Sequence, residues 1–100
     1  MLTFYANRNQ FRALEGLAYW IADAEYIKER YGANDPEIKT CDSTIRNCIF
    51  PELDALKIPF WVQNSVIAFA SNWRAYHSEY FSVALAKKGI YRREAVKCTA

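Results

Sequence analysis

Residues 60–88 read FWVQNSVIAFASNWRAYHSEYFSVALAKK, and the reading of this stretch decides the fold. Val62, Val66, Phe69, Trp73, Tyr76, Tyr80 and Val83 recur at alternating spacings of four and three, the period of a helix with one apolar face. The strict alternation of a half-buried strand is missing, here and elsewhere in the chain. The spacing predicts one long helix over 60–88, stopped by Gly89, with Lys87 and Lys88 matching the negative end of its dipole. At 1.5 Å per residue it would extend roughly 40 Å and need partners along its whole seam.

Outward from this stretch, residues 7–31 carry a second helical pattern. Phe11, Leu14, Leu17, Ala18, Ile21, Ala24 and Ile27 lie three or four apart with charges between them, and Gly32 follows Tyr31 where a helix can end in a positive-φ residue. Between the two, Asp35-Pro36-Glu37 joins a capping side chain, a proline at the first helical position and an acid in the first turn. The helix begun there presents Ile38, Cys41, Ile45 and Cys48. Pro51 then lacks a backbone donor and crowds the preceding turn, which predicts a kink or a break, the favoured form being a break followed by a short helix through Leu53 and Leu56. Pro59 closes that piece. The fold class is therefore all-α: a small helical bundle of two long antiparallel helices, about 7–31 and 60–88, a kinked or broken segment over about 36–57, and a short C-terminal helix over 92–97.

One hundred residues suit a single domain, 1–100. A 52% apolar and 24% charged composition with three glycines and three prolines excludes a disordered or linker-like chain. The 16% aromatic fraction is more than a core this small consumes, so some rings face outward. Net charge is +2, which fits neither an acidic nucleic-acid mimic nor a strongly basic binder. Its distribution is uneven: residues 1–86 hold eight Lys or Arg against ten Asp or Glu, residues 87–100 five against one. No leader-like segment or apolar run of membrane-spanning length is visible, so the chain reads as soluble, cytoplasmic and without a membrane partner. Three cysteines are an odd number, and Cys41 and Cys48 lie about 10 Å apart on a helix, beyond disulfide reach. Free thiols in a reducing compartment are expected.

The spacing of His77 with Cys41, Cys48 and Cys98 matches no zinc pattern, His77 lacks an ordered nucleophile and acid, and three isolated glycines form no phosphate loop. No catalytic residue, metal or cofactor is therefore expected. Arg12, Tyr19 and Tyr26 follow one another at seven-residue intervals on the polar side of the first helix, with Arg30 beyond them. Tyrosine and arginine anchor protein interfaces because they combine large area with a polar tip. This face, with Trp20 and Trp61 as rim anchors, predicts a non-enzymatic module that binds and occludes a larger macromolecule, as inhibitors, adaptors and phage anti-defence proteins do. The alternative is nucleic-acid binding through the basic tail, where Lys87, Lys88, Arg92, Arg93 and Lys97 are interleaved with one aromatic, Tyr91. The 62–83 seam also fits a homodimeric coiled coil, although intramolecular packing suits its bulky Trp and Tyr residues better.

Overall fold

The computed structural model describes residues 2–72 and 78–93. Their elements are β1 (Phe4–Ala6), α1 (Arg8–Tyr31), α2 (Pro36–Thr44), a π-helical turn (Ile45–Ile49), α3 (Phe50–Ala55), α4 (Phe60–Ser71), α5 (Ser78–Ala86) and β2 (Ile90–Arg92). The fold is a small all-α one, with a minimal two-stranded sheet at one end. No helix among the described residues is long and apolar enough to cross a membrane.

Local chemistry sets the helix ends. Asn7 Oδ1 accepts the Gln10 N–H at 2.8 Å while Gln10 Oε1 accepts the Asn7 N–H at 2.9 Å, a reciprocal cap that starts α1. Gly32 ends it at φ 101° and ψ 159°, a conformation open essentially to glycine alone, and its N–H bonds the Lys28 carbonyl. Asp35 Oδ1 accepts the Glu37 N–H at 2.9 Å and Pro36 opens α2, as the sequence predicts.

The segment around Pro51 is kinked and continuous rather than broken. Thr44, Ile45, Ile49 and Phe50 all keep right-handed helical angles, and the Phe50 N–H bonds the Ile45 carbonyl five residues back. This wider turn relieves the crowding that the Pro51 ring would impose on the Asn47 carbonyl in a regular α-turn. It also shifts the helical register by one residue. The inward line therefore passes from Ile45 to the half-buried Ile49 and on to Leu53, and Cys48, expected on the apolar face, is exposed.

Two glutamines fix the turn into α4. Gln10 Nε2 donates to the Leu56 carbonyl at 3.0 Å, and the buried Gln63 donates through Nε2 to the Ile58 carbonyl at 2.9 Å. Both carbonyls lie in a turn that would otherwise leave them without partners, so the polar side chains stabilise what they approach. Leu56 at Gln10 and Cys41 at Asp23 make the kinked segment antiparallel to α1. Ala22 and Tyr26 share a cavity with Ser71 and Asn72, so α4, which starts near Gln10, runs in the same direction as α1. Phe81 meets Phe11 and Ile90 pairs with Phe4, so α5 returns antiparallel to α1.

The long helix expected over 60–88 is thus two helices, of which only the second opposes α1. Phe69 and Phe81 would lie about 18 Å apart along one straight helix, yet their ring centroids are 6.0 Å apart. α4 stops where Ser71 Oγ and Asn72 Nδ2 bond the carbonyls of Ile67 and Ala68, at 2.8 and 3.1 Å, and Asn72 leaves helical geometry at φ −111° and ψ 10°. Short polar side chains that compete for backbone carbonyls favour helix ends. The seam consequently does not continue: Val62, Val66 and Ala70 are fully buried, whereas Tyr80 and Val83 are 65% and 55% exposed and Phe81 and Leu85 point inward instead. The first half of the proposed dimer seam lies in the chain's own core. Trp73, Tyr76 and His77 lie outside the described residues.

The C-terminal helix expected over 92–97 does not start at Arg92, which lies in a strand. Residues 90–92 form a strand that pairs in parallel with β1, Phe4 opposite Ile90, Tyr5 opposite Tyr91 and Ala6 opposite Arg92. Gly89 turns the chain into it at φ 84°, and a Cβ there would sit 2.6 Å from the Leu2 carbonyl oxygen. Residues 94–97 lie outside the described part.

Burial predicts which face of residues 78–86 carries stability. Phe81→Ala should cost about 3–5 kcal/mol, and Val83→Ala no more than about 0.5 kcal/mol, measured by urea unfolding. A seam running through 62–83 would give the reverse order.

Candidate functional site

The outward face of α1 carries the residues expected to meet a partner. Tyr19 and Tyr26 are each about half exposed, and Arg12 and Arg30 are exposed. Tyr26 and Arg30 line a groove of about 700 Å³ between the last turns of α1 and the end of α4, where Ala22, Glu29, Ser71 and Asn72 complete the wall. Lys28 and Glu25, also at this groove, form an ion pair at 3.5 Å. Arg12 belongs elsewhere: it stands about 21 Å from Tyr26 along the helix, in a smaller hollow with Asn9, Glu52 and Leu56. The structure therefore unites Tyr26 and Arg30 and separates Arg12 from them.

Trp20 and Trp61, read as rim anchors, are both half-buried against the main core. Trp20 additionally packs on the smaller cluster of Ala24, Ile27, Ile38 and Cys41. Its indole meets the Tyr19 ring edge-on, with centroids 6.4 Å apart and planes at 89°. A tyrosine braced this way has lost part of its rotamer freedom before any partner arrives.

The described basic residues after α5 lie in a turn, in β2 and just beyond it. Lys87 and Lys88 occupy the turn after α5, Arg92 lies in β2, and the Arg93 N–H bonds the Ala6 carbonyl at 2.7 Å. The Arg92 guanidinium carbon sits 5.3 Å from the centroid of the Phe11 ring. Lys97 lies outside the described residues. Sequence reasoning placed Tyr91 among the tail cations but missed Tyr5 and Arg8 here. Strand pairing stacks the Tyr5 and Tyr91 rings on one another, with centroids 5.5 Å apart and planes 26° from parallel, and puts Arg8 two residues beyond β1. Three-residue strands are too short to show alternation; the only local signals are the tyrosine central to both FYA and IYR and the glycine before the second.

Among the described residues no three His, Cys, Asp or Glu side chains converge as a metal site. Cys41 is buried, and its Sγ approaches Asp23 Oδ2 at 4.0 Å. Burial first, and then the charges of Asp23, Asp42 and Glu37, push the thiol above its ordinary pKa, which lowers its thiolate fraction at neutral pH. Cys48 is exposed.

No protein-family model matches this chain, and no curated protein or solved structure matches it either.

The two thiols should differ in reactivity accordingly. Iodoacetamide at pH 8 should alkylate Cys48 at least about tenfold faster than Cys41 in the native protein, as followed by peptide mass mapping. Equal rates would contradict the packing of Cys41 against α1.

Proposed function

We propose that this chain is a non-enzymatic protein-binding module that docks the outward face of α1 on a larger macromolecular partner and covers part of it. The action is that of an inhibitor or adaptor, a phage anti-defence protein being one such role. The observation that carries the reading is the bracing of Tyr19. Trp20 is wedged between the two core clusters, holds the Tyr19 ring edge-on and leaves about half of that tyrosine exposed. About two helical turns further on, Tyr26 overhangs a groove into which a partner side chain can insert. Rigid aromatic anchors beside a concavity concentrate binding energy in few residues, because little conformational entropy is lost when they are buried. Arg30 at the groove edge adds a charged hydrogen-bond donor set suited to a partner carboxylate. Arg12, in its separate hollow, extends the contact along the helix without sharing the groove.

The test is quantitative capture. Tagged protein is incubated with its native lysate after nuclease treatment, at low and at physiological salt, and the recovered proteins are compared with those held by a Tyr19→Ala, Tyr26→Ala variant. The wild type should retain a stoichiometric protein at both salts, and the variant should recover at least about tenfold less, one to two hot spots having been removed. Its unfolding free energy should change by less than about 1 kcal/mol, since both sites are exposed. An unchanged recovered set with the folded variant excludes the α1 face as the contact.

A further inference from the structure

The sheet end of the molecule, away from the α1 groove, has a chemistry of its own. Parallel pairing brings residues 4–6 against residues 90–92; the surrounding stretches 2–10 and 80–93 hold Arg8, Lys87, Lys88, Arg92 and Arg93 with no Asp or Glu, Glu79 and Glu94 lying just outside the second. Residues 15–72 hold five Lys or Arg against nine Asp or Glu, a balance of −4. Among the described residues the charge is thus divided, with the positive end where β1 and β2 meet. Arg8, Lys87, Lys88 and Arg93 are exposed and have no carboxylate at ion-pair distance among the described residues.

Two aromatic rings stand in the middle of this cationic end. Tyr5 and Tyr91 are a cross-strand pair, opposite each other in the ladder, 56% and 40% exposed. Alternation along the strands turns Phe4, Ala6 and Ile90 toward the interior and leaves the two tyrosines on the outer face, with Arg93 two residues beyond Tyr91 on the same side. We propose that this face binds single-stranded nucleic acid, with Tyr5 and Tyr91 as a stacking platform for bases and Arg8, Lys87, Lys88 and Arg93 on the backbone phosphates. Arg92, held over Phe11, adds to the positive field from the inner side.

The arrangement selects a single strand for three reasons. Tyr5 and Tyr91 stack on each other and leave their outer ring faces for unstacked bases, whereas a duplex keeps its base faces covered. Three-residue strands are too short to fill a groove of double-stranded DNA. The acidic remainder of the molecule repels a long rigid polyanion, whereas a flexible strand can follow the positive end alone.

Fluorescence anisotropy of the full chain with labelled oligothymidylate of about ten nucleotides tests this. Four phosphate contacts predict a slope of log affinity against log salt near −3, so affinity falls about fiftyfold between 50 and 200 mM salt. Tyr5→Ala with Tyr91→Ala should weaken binding by at least about thirtyfold, whereas Tyr5→Phe with Tyr91→Phe should keep it. Lys88→Glu should also weaken it and flatten the salt slope. The Tyr19→Ala, Tyr26→Ala variant should bind the oligonucleotide as the wild type does, which separates this site from the protein-binding face. Two results overturn the proposal: no binding at low salt, or binding that survives loss of both rings in a folded variant and is displaced equally by inorganic polyphosphate. The latter would mean a positive surface without a base platform.

Discussion

The pairing of β1 with β2 constrains the rest of the molecule. Two parallel neighbours cannot be joined by a tight turn, so the whole helical body becomes the connection between them. The chain must also return to the end at which it started. α1 leaves that end, the kinked segment comes back, α4 leaves again and α5 returns, after which residues 87–89 reverse the direction once more. Gly89 makes that last reversal feasible, since its positive φ and the closeness of the Leu2 carbonyl leave no room for a side chain.

The core follows from the same closure. For α5 to deliver β2 to β1, Phe81 has to enter beside the first turns of α1, where its ring meets Phe11 at 63° and Phe69 at 51°. Edge and tilted contacts of this kind add to the area buried by three large rings. The glutamines at positions 10 and 63 serve the other reversal, between α3 and α4, by donating to carbonyls that the turn exposes. A buried polar side chain is stabilising here because its partners are fixed in place.

Much of the helical layout was legible in the sequence, and the misses share a cause. The start of α2 at Asp35-Pro36, the end of α1 at Gly32 and the disturbance at Pro51 are set by residues within one turn of the event. The division of 60–88 is different. Its heptad-like seam is intact in the sequence, and the ends of α4 and α5 differ from it only by a Ser71-Asn72 pair whose side chains cap backwards. Contact of Phe81 with Phe11, seventy residues away in sequence, decides that the chain folds over and that Tyr80 and Val83 face outward. Likewise Cys48 left the apolar face because a single π-turn advanced the register, a change that periodicity cannot register in advance.

Of the α1 surface, Tyr19, Tyr26 and Arg30 were visible as a periodic line, because a helix of known phase displays its outer face directly. The sequence by itself determined the helical class, the caps at Gly32 and Asp35, a disturbance at Pro51 and that line of tyrosines, all consequences of interactions within a few residues. The tertiary structure alone decided that the two outer segments of the chain meet, that Tyr5 lies against Tyr91, and that Arg8 joins the basic residues at 87–93. Strand pairing between distant segments depends on the closure of everything between them, and three residues on each side carry too little pattern to announce it.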